Sequence, residues 1–446
     1  MDAIKKSPLN NIYERFCAAV MPYITASSRV CVGLSGGVDS VVLLHLFVQL
    51  RQKFQFDLSA IHVHHGISPH ADDWQNFCQQ LCVQLDVACV VRCVALDHHA
   101  ASGLEAEARA ARYQQYAQQS VDFIALAHHR DDQAETLMLQ LLRGAGVKGL
   151  AAMATCRSVS GQPGHLRPLL GVDRSAIVSW AQAHNLCWIE DESNVDTRYA
   201  RNFLRHDFLP LLNNRYPAWR ATIARSAENL AEAAELLDEL AKMDAQQAIH
   251  ERRLYCPYLK QLSPARARNL MRHFISLHGS RMPSQARLAD MLAQIINTQH
   301  DNHLAIRHDE HALYRYQDYV YLIKRLPVVD RLAHWQWPDE GGLYIPALGQ
   351  LQIQSGVGSG IAEDKFVNIN VRLRQGGEVM RPDCKRPRRR LKDLLQQSMI
   401  PAWQRERLPL IYSADILICV PGIGVACEWQ AQENETAVTL DWQPEQ

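Results

Sequence analysis

The sequence predicts an α/β chain: a parallel-sheet, Rossmann-like nucleotide-binding domain, then a mainly helical middle domain and a small α+β C-terminal domain. Strand and helix patterns alternate through residues 30–142, as in a parallel sheet covered on both faces. A Gly-Gly loop separates the first strand from a buried helix. Beyond about residue 215 the composition shifts to long helical stretches rich in Ala, Leu and Arg. These features divide the chain into residues 1–215, 216–328, a linker with short strands over 329–365, and 366–446.

Residues 1–28 read as a helix leading into the strand Val30-Cys31-Val32-Gly33-Leu34. The loop Ser35-Gly36-Gly37-Val38-Asp39-Ser40 follows, and the apolar run 41–46 continues as a helix. Adjacent glycines let the backbone approach an anion, and Ser35, Ser40 and the free amides of the helix start can hold phosphate oxygens. A tight strand-to-helix turn would explain Gly-Gly alone; the whole hexapeptide in this setting favours a phosphate cradle. A Walker A loop would carry Lys followed by Ser or Thr, where Asp39-Ser40 stands, and the dinucleotide fingerprint is also absent. The hexapeptide resembles the pyrophosphate loop of the ATP pyrophosphatases, which implies cleavage of ATP to AMP and pyrophosphate, usually by adenylating an oxygen of a second substrate.

Further strands are expected at 58–63, 88–94 and 123–127, with helices over 71–85 and 103–119 between them. Ligands of such sheets bind outside the carboxyl ends of the strands. The glycine loop, His64-His65 and His128-His129 all fall there, so the active site is expected at that edge. The paired histidines read better as pocket lining than as metal ligands, because no His-x-x-x-His spacing accompanies them.

His128 to Thr136 forms the second chemical cluster, in which His128, Asp132 and Glu135 share one helical face. Asp132 as N-cap with Glu135 three residues on also fits a capping box, and capping does not exclude binding of Mg²⁺ or a cationic substrate. Glu105, Arg109 and Arg112 fall on one side of the preceding helix, either as a salt-bridged exposed face or as part of the site. Arg198, Arg201, Asn202 and Arg205 make one polar face, open to solvent or to RNA.

The chain has no net formal charge, so a nucleic-acid partner must be met by local patches. The most basic stretch, Arg381 to Lys392, contains Lys385, Arg386, Arg388, Arg389 and Arg390 and suits RNA phosphates. Arg266, Arg268, Arg272, Arg281 and Arg287 either track phosphates or solvate helices. Twelve cysteines without a C-x-x-C pair read as scattered reduced thiols of a cytoplasmic protein. No stretch reaches the length of a membrane span, and the apolar run 16–21 is too short for a signal core.

The hexapeptide, His62-Val63-His64-His65-Gly66, and residues 105–113, 128–136, 143–150 and 188–205 come in the order seen in tRNA(Ile)-lysidine synthetases. The sequence resembles that family over most of its length, continuing through Gly376, Met380-Arg381-Pro382, Lys392, Pro401, Trp403 and Arg405. Its His64 stands where many members have Asn. The resemblance implies that ATP adenylates the carbon-2 oxygen of the wobble cytidine in the isoleucine tRNA with a CAU anticodon, and that free L-lysine then displaces AMP through its ε-amine. On this expectation Ser35, Gly36, Gly37, Val38, Asp39 and Ser40 hold the phosphates, and Asp39 is a ligand of Mg²⁺. Asp132 and Glu135 hold the lysine ammonium and help remove its proton, while His128 and Arg109 stabilise charge on the phosphate or the base. Arg201, Asn202 and Arg205, with the C-terminal basic stretch, contact the tRNA. A homodimer is left open. The competing readings are a thiolating relative, which the missing C-x-x-C disfavours, and a non-catalytic tRNA-binding protein, which the intact loop and carboxylates disfavour.

Overall fold

The computed structural model describes residues 8–96, 104–159, 161–190, 192, 197–198, 200–298, 304–325, 327–338 and 341–445, with backbone only at 8–11, 104 and 105. The Glu105 side chain and Asp191, Ser193 and Asn194 lie outside the described residues. The chain divides into two compact units, residues 1–236 and 237–446.

The first unit is built on a six-stranded sheet of order β3-β2-β1-β4-β6-β5. Its strands are β1 (Arg29–Gly33), β2 (Asp57–His64), β3 (Ala88–Cys93), β4 (Phe123–Ala125), β5 (Cys156–Val159) and β6 (Gln162–Leu166). All pair in parallel except the edge strand β5. Helices α1 (Pro8–Val20), α2 (Val38–Arg51), α3 (Ala71–Gln84), α4 (Leu104–Ala117), α5 (Arg130–Leu142), α6 (Val147–Leu150) and α7 (Arg174–Ala183) complete it. Helix α2 is apolar nearly all round because it is packed between the sheet and other helices, with Leu43, Leu44, Leu46 and Phe47 fully buried beside Phe16 of α1 and Ile177 of α7. On the other face Tyr116 of α4 closes over Ile61 and Ile124. Chain order leads from β1 to β2 on one side and to β4 on the other, so a crevice opens between the carboxyl ends of β1 and β4.

The hairpin of β5 and β6 has little strand character in sequence, being four and five residues long with Gln, Pro and Gly in β6. Pairing makes it a strand: Gly164 lies opposite Phe123, where an added Cβ would meet the ring at 3.0 Å. After α7 come α8 (Ala200–Phe203), a π-helical turn Leu204–Phe208 and a 3-10 turn Leu209–Leu212, and then the long helix α9 (Trp219–Ala248).

In the second unit, helices Pro264–Leu277 and Gln285–Asn297 are N-capped by Ser263 and Ser284. They share a core with an antiparallel sheet of five strands, so the middle region is helical with a sheet at its side. The hairpin expected over 304–323 is a meander of three strands, Leu304–His308, His311–Tyr316 and Tyr319–Lys324. The stretch expected as a linker carries strand Gly349–Val357, which pairs along its length with Thr436–Pro444, and His334–Gln336, which pairs with Ile369–Arg372. Leu351 and Trp337 join Val371, Ile411 and Ile418 in one core, so this stretch folds with the C-terminal region. Reduced cysteines were expected throughout; the structure instead pairs Cys384 with Cys427 as a disulfide, tying the basic stretch to the segment after Val425. Among the described residues no helix is long and apolar enough to cross a membrane.

Candidate active site

Strand β1 delivers the glycine loop to the crevice. Ser40 Oγ donates to Gly37 O at 2.9 Å and accepts from Ser35 N at 3.2 Å, closing the loop on the first turn of α2. Ser40 N bonds back to Gly37 O at 3.1 Å, and the earlier amides of Val38 and Asp39 lie where a helix start suits an anion. Gly36 has φ of +89° and accepts Ile189 N at 2.9 Å. The backbone angle requires glycine, and a Cβ there would in addition press on Ile189 Cδ1 at 2.6 Å, at the end of a side chain in the strap across the loop. Buried His62 anchors the strand end, its Nδ1 2.9 Å from Leu34 O.

Strand β4 delivers the second half of the site. His129, 2 % exposed, stands between three acids: its Nε2 is 3.7 Å from Asp39 and 3.4 Å from Asp132, and its Nδ1 is 3.8 Å from Asp131. It is also the N-cap residue of α5, and Asp132 accepts its backbone N–H at 2.9 Å. The cap expected at Asp132 therefore falls three residues earlier, with Asp132 at the third helical position. This leaves Asp132 Oδ1 and Glu135 facing Arg201 and Arg205. Arg201 reaches Glu135 Oε2 at 2.7 Å and Asp132 Oδ1 at 2.8 Å, while Arg205 reaches Glu135 Oε1 at 2.7 Å and Asp132 Oδ1 at 3.2 Å. The helix 200–203 and its π-helical continuation thus bring both guanidiniums onto α5, and two residues of the face read as separate, Arg201 and Arg205, belong to the carboxylate cluster.

The electrostatics follow from this packing. Burial alone would raise the Asp132 carboxyl, but His129, Arg201, His128 and the His129 amide outweigh it and hold it down at about 2. Asp39 is pushed up, by burial first and by Asp132, against His129, Arg174 and Arg205. His128 is pushed down to about 3 by burial, with Arg167, Arg201 and Arg109 adding and Asp132 opposing. His128 is thus a neutral imidazole at neutral pH, able to donate or accept a hydrogen bond.

Asp39, His128, Asp132, Glu135, Arg201 and Arg205 converge at the β1–β4 crevice. Asn202 lies on the same short helix, and Arg109 sits on α4, donating to the Tyr113 hydroxyl at 3.3 Å. Sequence reasoning placed His129 in the pocket lining without a role of its own, and it missed Asp131 and Arg174. Asp131 accepts the Arg174 amide at the start of α7 at 3.1 Å and pairs with Arg220 of α9, and Arg130 grips Asp173 through two bonds of 2.8 and 2.9 Å. These residues line an open cavity of about 740 Å³. The one signal for them was the placement of His129, Arg130 and Asp131 directly at the strand-to-helix junction.

Among the described residues no group of three or more His, Cys, Asp or Glu could hold a metal by itself. Asp39 Oδ1 is nevertheless buried without a hydrogen-bond partner beside the phosphate loop. One carboxylate completed by phosphate oxygens and water is the donor set Mg²⁺ commonly takes, so the residues present fit that ion.

In the second unit the basic stretch is a mostly exposed loop over 381–388 that runs into the short strand Arg389–Arg390, paired with Val379–Met380, and the helix Leu391–Gln397. Arg381 and Arg388 reach Glu428 at 3.0 and 3.5 Å, Arg386 pairs with Asp383 at 3.3 Å, and Arg389 donates to Gln397 at 2.7 Å. Lys385 and Arg390 are exposed. Of the middle arginines, Arg266 pairs with Asp244 and Arg287 with Asp290, so these two serve the helices.

Family models match three parts of the chain: a PP-loop domain over residues 6–212, a TilS substrate binding domain over 254–321 and a TilS substrate C-terminal domain over 369–442. A tRNA(Ile)-lysidine synthase of Nitrosomonas europaea is 43 % identical, over 98 % of this chain and 96 % of that protein. Another, of Coxiella burnetii, is 38 % identical over 94 % of each. Among solved structures, a U34-tRNA thiolase of Methanococcus maripaludis matches 51 % of this chain and 81 % of that one at 20 % identity, with a TM-score of 0.45.

Proposed function

The chain belongs to the tRNA(Ile)-lysidine synthase family, and from that premise we propose that it ligates free lysine to carbon 2 of the wobble cytidine in the CAU-anticodon isoleucine tRNA. The single observation that carries this reading is the meeting of a Lys-less glycine loop with the Asp132–Glu135 carboxylates across His129. A loop of that kind suits release of pyrophosphate, and a buried carboxylate pair suits a cation.

Cytidine's carbonyl oxygen is a poor leaving group. Attack by that oxygen on the α-phosphate of ATP releases pyrophosphate into the cradle of Ser35 to Ser40 and leaves an adenylated base. Mg²⁺ held at Asp39 would neutralise phosphate charge there. The ε-amine of lysine then forms the C2–N bond as the C2–O bond breaks and AMP departs. Free lysine has a pKa of about 10.4 and arrives as an ammonium, so a proton must be removed before attack. Asp132 and Glu135 already hold two cations, the guanidiniums of Arg201 and Arg205, and the same oxygens suit an ammonium. His128 and Arg109 stand ready to donate to the developing charge on base or phosphate. The exposed basic loop with Lys385 and Arg390 would meet RNA phosphates, with Arg386, Arg388 and Arg389 around them. The product decodes AUA in place of AUG, work that belongs with the tRNA pool of the cytoplasm.

The test is to incubate the protein with ATP, Mg²⁺, lysine and unmodified tRNA and to examine the nucleosides by mass spectrometry. A lysine adduct on cytidine with AMP release is expected. Sulfur incorporation, or ADP without an adduct, would overturn the reading.

A further inference from the structure

A second group of basic side chains lines the sheet edge on the α4 side. Arg167, directly after β6, is 5 % exposed; it donates from Nη1 to Ala154 O at 3.0 Å, and its Nε is buried without a partner. The Tyr113 hydroxyl acts on the Arg167 guanidinium electrostatically, and the Tyr113 ring meets His165 edge-on at 5.1 Å. Arg109 donates to the same hydroxyl, with its guanidinium 5.1 Å over the ring. One turn along α4, Arg112 points its Nε at His65 Nε2, 3.3 Å away. Nδ1 of His65, of His128 and of His165 is buried and unpartnered as well.

Among the described residues, no ion pair joins Arg109, Arg112 or Arg167 to a carboxylate. That is unusual chemistry. A buried guanidinium without a counter-charge, as at Arg167, is costly, and buried donors normally find acceptors; Arg112 is half-buried and Arg109 exposed. Arg109 and Arg167 beside Tyr113, with Arg112 one turn along α4 against His65 and donors left over, make a receptor for an oxyanion, and Arg is the side chain best matched to two phosphate oxygens at once. The glycine loop already supplies the pyrophosphate site, and Asp132 with Glu135 supplies a cation site, so this cluster serves neither.

We propose that Arg109, Arg112 and Arg167 form a second phosphate receptor, apart from the glycine loop, which holds a phosphate oxyanion next to His128 while the base reacts. This rests on the reading of the crevice as the adenylation site. Two sources supply that chemistry: a phosphodiester of the RNA beside the target nucleotide, or the α-phosphate of the nucleotide itself.

The test uses the full-length protein with Arg167→Met, Arg167→Lys and Arg112→Gln. Affinity for Mg²⁺-ATP is measured without RNA, and affinity for an unmodified tRNA(Ile) transcript is measured by filter binding over a series of salt concentrations. Loss of a charge-assisted bond should weaken one of the two by about tenfold in Arg167→Met. Arg167→Lys, which keeps charge without the fork, should recover part of it. A loss confined to the transcript, with the salt slope reduced by about one, assigns the RNA phosphodiester. A loss confined to ATP assigns the α-phosphate. Wild-type affinity for both ligands in Arg167→Met and Arg112→Gln overturns the proposal, and Arg112→Gln carries the test alone if Arg167→Met does not fold. Because these are binding measurements, they stand whether or not a lysine adduct forms.

Discussion

Arg205 lies across the carboxylate of Glu135, with Nε 2.7 Å from Oε1 and Nη2 3.0 Å from Oε2. Arg201 takes Oε2 as well, so a carboxylate 1 % exposed is saturated by two guanidiniums. A lysine ammonium entering here must share those oxygens or displace an arginine. The carboxylates and the arginines are therefore one device: on the proposed reading, whatever draws Arg201 or Arg205 toward RNA would also free the acids for lysine.

Glu135→Gln preserves the shape of that device and removes its charge. Two partly buried guanidiniums are then left with Asp132 alone, which should cost about 3 kcal/mol of stability, at the low end for breaking a buried pair because both arginines keep some solvent contact. Thermal unfolding should report the loss. In steady-state kinetics the KM for lysine should rise at least about tenfold, while pyrophosphate release from ATP and tRNA falls less. An unchanged lysine KM would remove Glu135 from the lysine site.

Acid should destabilise the first unit in two stages. His128 is held down to about 3 and His65 and His165 to about 4, by burial first in each case, so the folded state refuses protons that the unfolded chain accepts near 6.5. Their contribution is complete above that value and is lost as pH falls from 6.5 toward 4 for His65 and His165 and toward 3 for His128. Asp132 is depressed to about 2 from 3.8, so its contribution persists above the higher value and disappears only as pH falls from 3.8 toward 2. Melting temperature followed from pH 7 to 4 should decline, and His165→Asn should flatten that decline. An identical slope in the variant would show that this imidazole does not carry the effect.

The phosphate loop was legible because its whole machinery is contiguous: strand, six residues and helix start all lie within residues 29–51. The carboxylate cluster was half legible. Asp132 and Glu135 announce themselves by helical spacing, but Arg201 and Arg205 lie more than sixty residues away and reach them only through packing of α8 on α5. Read alone, the carboxylates fitted a helix cap or a cation site, and the arginines a face open to solvent or RNA. The cap was misplaced because His129, a weak capping residue, holds the position that Asp132 would normally claim. The strand over 349–357 was hidden by Gln, Ser and Gly, residues whose strand character comes from pairing with 436–444.

The Cys384–Cys427 pair has a direct chemical readout. Ten of the twelve cysteines are free in the structure. Alkylation of unfolded, unreduced protein should therefore block ten thiols, and prior reduction should expose all twelve. Peptide mapping should find residues 384 and 427 joined before reduction. Twelve alkylated thiols without reduction would return the chain to the all-thiol state its sequence suggested.

Glu428, on the turn that the disulfide joins to the basic stretch, lies 3.0 Å from Arg381 and 3.5 Å from Arg388. Its carboxyl is held below the ordinary range by its own backbone N–H and then by those two arginines, so it is charged at neutral pH. If this loop meets RNA, Glu428 competes with phosphates for both guanidiniums and repels the strand that approaches them. Glu428→Gln should then tighten binding of a tRNA transcript, by a few-fold, since exposed ion pairs are worth about 1 kcal/mol or less. The dependence on salt should steepen, because two cations become available to release counterions from the RNA. Arg388→Gln should act in the opposite sense, with weaker binding and a shallower slope. Equal affinity and slope in wild type and both variants would place the RNA contact elsewhere on the chain.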